Sequence, residues 1–131
     1  MSPSEEIPKS TYYQAFVRDN FCCVYCGQDI LASFDSFAAS HLDHLKPGSA
    51  RGPCEDVWNR VTACGVCNSL KGAYDPVPGD LVTKTNFSAA VANAKEYIQR
   101  KRRGETTSSY FRDYQYWIEE SARVRSAQPR P

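Results

Sequence analysis

The sequence predicts an α+β fold: a strand, a long loop, a second strand and a helix, stapled by cysteines, with one helix before this unit and two after it. Three observations predict it. Two C-x-x-C pairs, Cys23/Cys26 and Cys64/Cys67, bracket the strands. Residues 37–45 and 60–63 read as extended runs, separated by a stretch rich in Gly and Pro that breaks regular structure. Residues 86–103 and 109–124 instead repeat apolar side chains at spacings of three and four, the period of a helix with one buried face.

Taken in order, residues 1–9 carry two prolines and two glutamates and read as a disordered lead-in. Ser10 is a plausible cap for a short helix to about Asp19, with Tyr13, Phe16 and Val17 on a face that should pack on the cysteine site. Gly27, directly after Cys26, fits a tight turn needing positive φ. Residues 28–36 read as loop and turn. Phe37–Leu45 is the first predicted strand, ended by Pro47 and Gly48. Residues 46–57 form a long loop, propped by burial of Val57 and Trp58. Arg60–Ala63 is the second strand. Cys64 to about Tyr74 is a helix that Pro76, Pro78 and Gly79 stop, and Asp80–Thr85 connects.

Asn86 or Ser88 then caps a helix through about Arg103, with Phe87, Val91, Ala94 and Ile98 on one face. Arg100, Lys101, Arg102 and Arg103 suit the negative end of its macrodipole, and Gly104 suits the position after it. A last helix spans Ser109–Val124, with Tyr110, Tyr114, Trp117 and Ile118 on its apolar side, before a fraying end.

The bulk numbers bound the function. A chain of 131 residues, 41% hydrophobic and with mean hydropathy −0.56, has the length of one domain and a modest core. Within it, 10–79 reads as a metal-stapled core and 80–126 as a helical extension. A small core gains from a metal staple. The net charge of +1 hides an asymmetry: residues 1–83 carry six Lys/Arg against ten Asp/Glu, and residues 84–131 carry ten against five. The basic half is where a polyanion would sit. The acidic N-terminal segment has no apolar core of a signal peptide, and no apolar run spans a bilayer, so the expected location is cytoplasmic, with no membrane partner. The six cysteines then read as metal ligands and free thiols instead of three disulfides.

Two C-x-x-C pairs can close one tetrahedral zinc site, because zinc imposes no d-electron geometry and accepts four thiolates. The expected ligands are Cys23, Cys26, Cys64 and Cys67. Cys22 with Cys26 is a competing frame. Cys22 and Cys54 otherwise remain as small buried hydrophobes. A redox C-x-x-C is the rival reading, but redox chemistry needs one such pair and this chain has two.

The order D-H-x-x-P from Asp43, then Asn59, then C-x-x-C-N-x-x-K-G from Cys64, closely resembles the HNH endonucleases. Arg18 to Gly27, R-D-x-x-x-C-x-Y-C-G, resembles that family's first zinc knuckle. The resemblance covers roughly Tyr13 to Tyr74. It implies a ββα-metal fold and hydrolysis of DNA phosphodiesters. It implies His44 as general base and Asn59 as a residue that holds the ring and loop of His44. It further implies a Mg²⁺- or Mn²⁺-type ion on Asp43 and Asn68. Chemistry permits each role: a hard ion favours oxygen ligands, and imidazole titrates near neutral pH. His41, two residues before Asp43 and on the same side of a strand, is a candidate third metal ligand. A surface or packing histidine is the alternative.

Lys71, Arg60, Lys46 and Arg51 are candidate phosphate contacts near the site. Arg100, Lys101, Arg102 and Arg103, with Tyr97, Tyr110 and Arg112 nearby in sequence, are candidates for tracking a nucleic-acid backbone; solvated surface charge is the plain alternative for each. Two other functions remain open: a non-catalytic zinc-knuckle module that binds nucleic acid, and a nuclease subunit that needs a protein partner or a second copy. A pure binder has no need of Asp43, His44 and Asn68 together.

Overall fold

The computed structural model describes residues 10–47, 57–105 and 110–128. The expected lead-in 1–9, most of the long loop with Arg51 and Cys54, and the helix start at Ser109 lie outside them. The described elements are α1 (Thr11–Arg18), α2 (Phe34–Ala39), β1 (His41–His44), a 3₁₀ turn (Val57–Asn59), β2 (Arg60–Ala63), α3 (Gly65–Lys71), α4 (Phe87–Arg102) and α5 (Tyr110–Ala127). β1, β2 and α3 are the ββα unit of the fold class read from sequence.

The two strands form an antiparallel pair with His41 opposite Ala63, Leu42 opposite Thr62, Asp43 opposite Val61 and His44 opposite Arg60. Leu45 N–H extends the pairing by donating to Asn59 O at 2.9 Å. β2 has the expected bounds. β1 is shorter than expected at its start, because Phe37, Ala38 and Ala39 belong to α2. The reason is local. Ser33 caps α2, its Oγ accepting from Ser36 N at 3.0 Å, and the side-chain bond outcompetes the strand preference of Phe37.

Side-chain hydrogen bonds also stand before α1 and α4. Ser10 Oγ accepts from Tyr13 N at 2.9 Å before α1. Asn86 Oδ1 accepts from Thr83 N at 2.7 Å in the turn before α4, while Asn86 O accepts from Ala90 N inside the helix. α3 ends earlier than expected, at Lys71, because Gly72 takes φ +52°. Gly104 follows α4 at φ +72°, and Glu105 N returns to Arg100 O at 3.0 Å, a helix stop that only a left-handed residue permits.

α1 does not turn its aromatic face onto the cysteines. Its buried residue is Ala15, and Val17 is exposed. It is fastened to β2 and the 3₁₀ turn through charge instead. Arg18 donates to Val57 O at 2.6 Å and to Arg60 O, and pairs with Asp19 at 2.7 Å. Asp19 Oδ2 in turn accepts from Thr62 N at 2.8 Å. The guanidinium also lies over the Phe87 ring at 4.6 Å, and Phe87 meets Trp58 edge-on at 5.3 Å. Trp58 is thus half-buried against Phe87 and Arg18 at the hairpin base, while most of the loop it is expected to prop lies outside the described residues.

The chain forms two compact units, residues 1–98 and 99–131. The first holds one buried cluster in which Cys23, Tyr25, Cys64 and Cys67 meet Leu45, Val61, Ala63 and Leu70, joined by Val82 and by Ala90, Ala94 and Ile98 of α4. Tyr74 stacks on Tyr97 at 4.2 Å beside it. In the second unit α5 has no buried residue.

Candidate metal centre and active site

The first C-x-x-C sits on a turn tied in by its own backbone. Cys23 N donates to Gln28 O at 2.8 Å, Gly27 N to Cys23 O at 2.8 Å, and Val24 N to Thr62 O on β2 at 3.0 Å. Gly27 closes the turn at φ +81°, as its position after Cys26 requires. The second C-x-x-C starts α3. Cys64 is the N-cap and its Sγ accepts from Cys67 N at 3.4 Å. Gly65 between them is needed for space: a Cβ there would stand 2.9 Å from Ala39 O.

The four sulfurs of Cys23, Cys26, Cys64 and Cys67 all lie within 4.8 Å of one another. Four thiolates at the usual zinc distance of ~2.3 Å stand ~3.8 Å apart. Cys26 Sγ and Cys64 Sγ are 3.7 Å apart. The sulfurs, three of them on buried residues, have the spacing of a tetrahedral ion's ligands, and the four-cysteine cluster is a candidate zinc site. The competing frame with Cys22 is not the one brought together: Cys22 bridges to Asp29 instead. A hydrogen bond from Cys67 holds the Cys23 thiol down to about 5. Burial pushes the Cys26 thiol up. The Cys23 thiolate is thus ready for an ion, and metal binding to thiols releases protons.

Asp43, His44 and Asn59 lie at the loop end of the hairpin, where His44 pairs with Arg60. Asn59 is buried and clamps the chain just past His44: its Oδ1 accepts from Lys46 N at 2.8 Å and its Nδ2 donates to Lys46 O at 3.3 Å. His44 and Asp43 are half-buried. Asp43 Oδ2 accepts from Tyr25 OH at 2.8 Å and lies 3.3 Å from Lys71 Nζ. Among the described residues no donor is bonded to its Oδ1. Burial and the neighbouring Asp43 push the Tyr25 phenol well above its usual range, so Tyr25 stays a neutral donor. Asn68 lies one turn before Lys71 on α3, and residues three apart on a helix share a face. Asn68 is half-buried.

Lys71 is where structure and expectation part most sharply. Its side chain is 1% exposed, and its ammonium also donates to His44 O at 2.9 Å. Lys46 is likewise engaged, with Asp75 Oδ2 at 2.6 Å. Arg60 is half-buried on β2 opposite His44. His41 is exposed at the start of β1, on the same face as Asp43. Arg100, Lys101, Arg102 and Arg103 belong to the second unit. An open hollow of about 690 Å³ is lined by Lys46, Asp80, Thr83 and Asn86, and none of the expected ion or base residues lines it. Sequence reading passed over Tyr25, Arg18 and Asp19 as individual side chains. Their signal was present in R-D and C-x-Y-C, where polar residues flank ligands that must be held.

Residues 23–73 match the family model described as HNH endonuclease. Over 90 residues the chain is 33% identical to the CRISPR-associated endonuclease Cas9 of Corynebacterium diphtheriae, an alignment covering 69% of this chain and 8% of that protein. This chain therefore matches only a small part of that relative. No solved structure matches it. No helix among the described residues is long and apolar enough to cross a membrane.

Proposed function

Since residues 23–73 belong to the HNH endonuclease family, we propose that this protein hydrolyses phosphodiester bonds in DNA, using His44 as general base and one Mg²⁺- or Mn²⁺-type ion on Asp43 and Asn68. One observation carries the reading. Lys71 Nζ lies 3.3 Å from Asp43 Oδ2, and Asn68 stands three residues before Lys71, a spacing that shares a helix face; this supports an ion between α3 and β1. The donor set fits a hard ion: one carboxylate oxygen and one amide oxygen, with the remaining positions left to water and phosphate.

Such an ion would neutralise the phosphate and stabilise the leaving oxygen. The chain's own residues do the rest. His44 accepts the proton of the attacking water at an imidazole nitrogen. Asn59 is a positioning residue: by gripping both backbone groups of Lys46 it fixes the strand end from which His44 projects. Lys71 fixes the same strand end through His44 O. The zinc-type site takes no part in bond cleavage. It anchors α3 to the knuckle, and Asn68 directly follows Cys67. His41, exposed on the Asp43 face of β1, would be a further ligand. Arg60 and the Arg100–Arg103 run supply phosphate contacts.

Nicking of supercoiled plasmid with Mg²⁺ or Mn²⁺ tests this. Brief chelation should leave a folded, inactive protein that keeps one zinc, and added Mg²⁺ or Mn²⁺ should restore cutting. No cutting of supercoiled, linear or single-stranded DNA under any divalent metal would favour the non-catalytic module. The 8% coverage of the Cas9 relative supports a second reading, a nuclease unit aimed by another component. That reading expects cutting by this chain without sequence selection.

A further inference from the structure

The carboxylate that the ion would use is already paired. Lys71 Nζ lies 3.3 Å from Asp43 Oδ2, with side-chain exposures of 1% and 11%. The ammonium cannot swing away without leaving His44 O, which it holds at 2.9 Å. Tyr25 OH occupies the same Oδ2 and adds no charge. Asp75, the acid closest in sequence to the end of α3, is engaged by Lys46. Among the described residues, the charge around Asp43 is therefore balanced before any ion arrives. Cages that hold divalent ions tightly by themselves present several carboxylates. Here an ion beside Asp43 meets a buried ammonium on the carboxylate's other oxygen, where screening by water is weak. Among the described residues nothing supplies the missing negative charge, and the anion that comes to this site is the substrate phosphate.

We propose that Lys71 is a buried counter-charge that couples uptake of the divalent ion to arrival of the nucleic-acid phosphate, so that each binds well only with the other. Lys71 acts through Asp43 and is a positioning residue. This rests on the reading of Asp43 as an ion ligand. Linkage makes the coupling reciprocal: the factor by which DNA tightens the ion equals the factor by which the ion tightens DNA.

The test uses the zinc-loaded full chain carrying His44→Ala, which keeps the backbone carbonyl and does not cut. Mn²⁺ binding is titrated by electron paramagnetic resonance with and without a short duplex. Binding of a labelled duplex is followed by anisotropy with and without Mn²⁺. The expected coupling is about tenfold or more, equal in the two directions. Adding Lys71→Met should tighten Mn²⁺ in the absence of DNA and reduce the coupling to about threefold or less. Tyr25→Phe removes a neutral donor from the same oxygen and should leave the coupling unchanged. A merely structural role for Lys71 would weaken Mn²⁺, the opposite sign. Equal Mn²⁺ affinity with and without duplex in the parent overturns the proposal, even where Lys71→Met does not fold. So does undiminished coupling in a folded Lys71→Met, or loss of coupling in Tyr25→Phe. If Asp43→Ala in the same background binds Mn²⁺ as the parent does, the assignment of Asp43 fails, a result separate from those above.

Discussion

The unit through Ile98 and the unit after it are both rich in helix, yet they differ in what holds them. Every buried hydrophobic side chain among the described residues lies at or before Ile98. α5, the longest helix, buries none, and exposes Tyr110, Tyr114, Trp117 and Ile118 along the stripe that periodicity marks as apolar. The first unit has short elements that would not persist alone: two strands of four residues and a helix of seven. They are held by packing around the clustered cysteines, the Arg18–Asp19 clamp and the contacts of Lys71. The second rests on helix-forming composition and local pairs such as Arg123 with Glu120. Chemistry that needs fixed geometry therefore belongs in the first unit.

Removing the staple should show the contrast at full size. Cys67→Ser is expected to abolish zinc binding and the cooperative melt of the first unit, because structural zinc binding is folding free energy of roughly 10 kcal/mol or more. Zinc content and circular dichroism check this. One bound zinc and a parent-like melt would remove the quartet from its structural role.

His44→Ala should leave the melt nearly intact and lower the nicking rate by ~10²–10⁴, the usual cost of losing a general base. Residual cutting within about tenfold of the parent, short of that range, would place the base elsewhere. Gly65→Ala tests packing close to the ligands. Its methyl would meet Ala39 O at 2.9 Å. A loss of about 1–3 kcal/mol in denaturant unfolding is expected, as for other overpacked sites. A neutral result would mean that α2 yields freely.

The second unit should respond differently. Changing Arg100, Lys101, Arg102 and Arg103 to Gln should spare the melt, weaken DNA binding and lower its salt slope by roughly one per lost phosphate contact. An unchanged slope would leave the run as a solvated helix end. Smallest of all, Trp117→Ser should change stability by no more than about 0.5 kcal/mol, since its ring is 61% exposed. A larger loss would show that α5 is held by burial after all.

What the sequence by itself determined is what short spacing determines. The C-x-x-C pairs, the cap at Ser10, Gly27 at positive φ, the bounds of β2 and the glycine stop after α4 were all legible, because each rests on contacts within a few residues. α2 was misread as loop and strand although its cap, Ser33, stood in the sequence; a local hydrogen bond competed with a local propensity, and the hydrogen bond won. Tertiary structure alone decided the fate of the charges. Nothing in S-L-K-G says that Lys71 is buried on Asp43, that Lys46 is taken by Asp75, or that Arg18 reaches two carbonyls from Val57 to Arg60. Nor does the apolar stripe of α5 say that it stays uncovered. A charge far from others in sequence finds its partner only when strands and helices are packed, and in a weakly screened interior that partner decides what the charge can do.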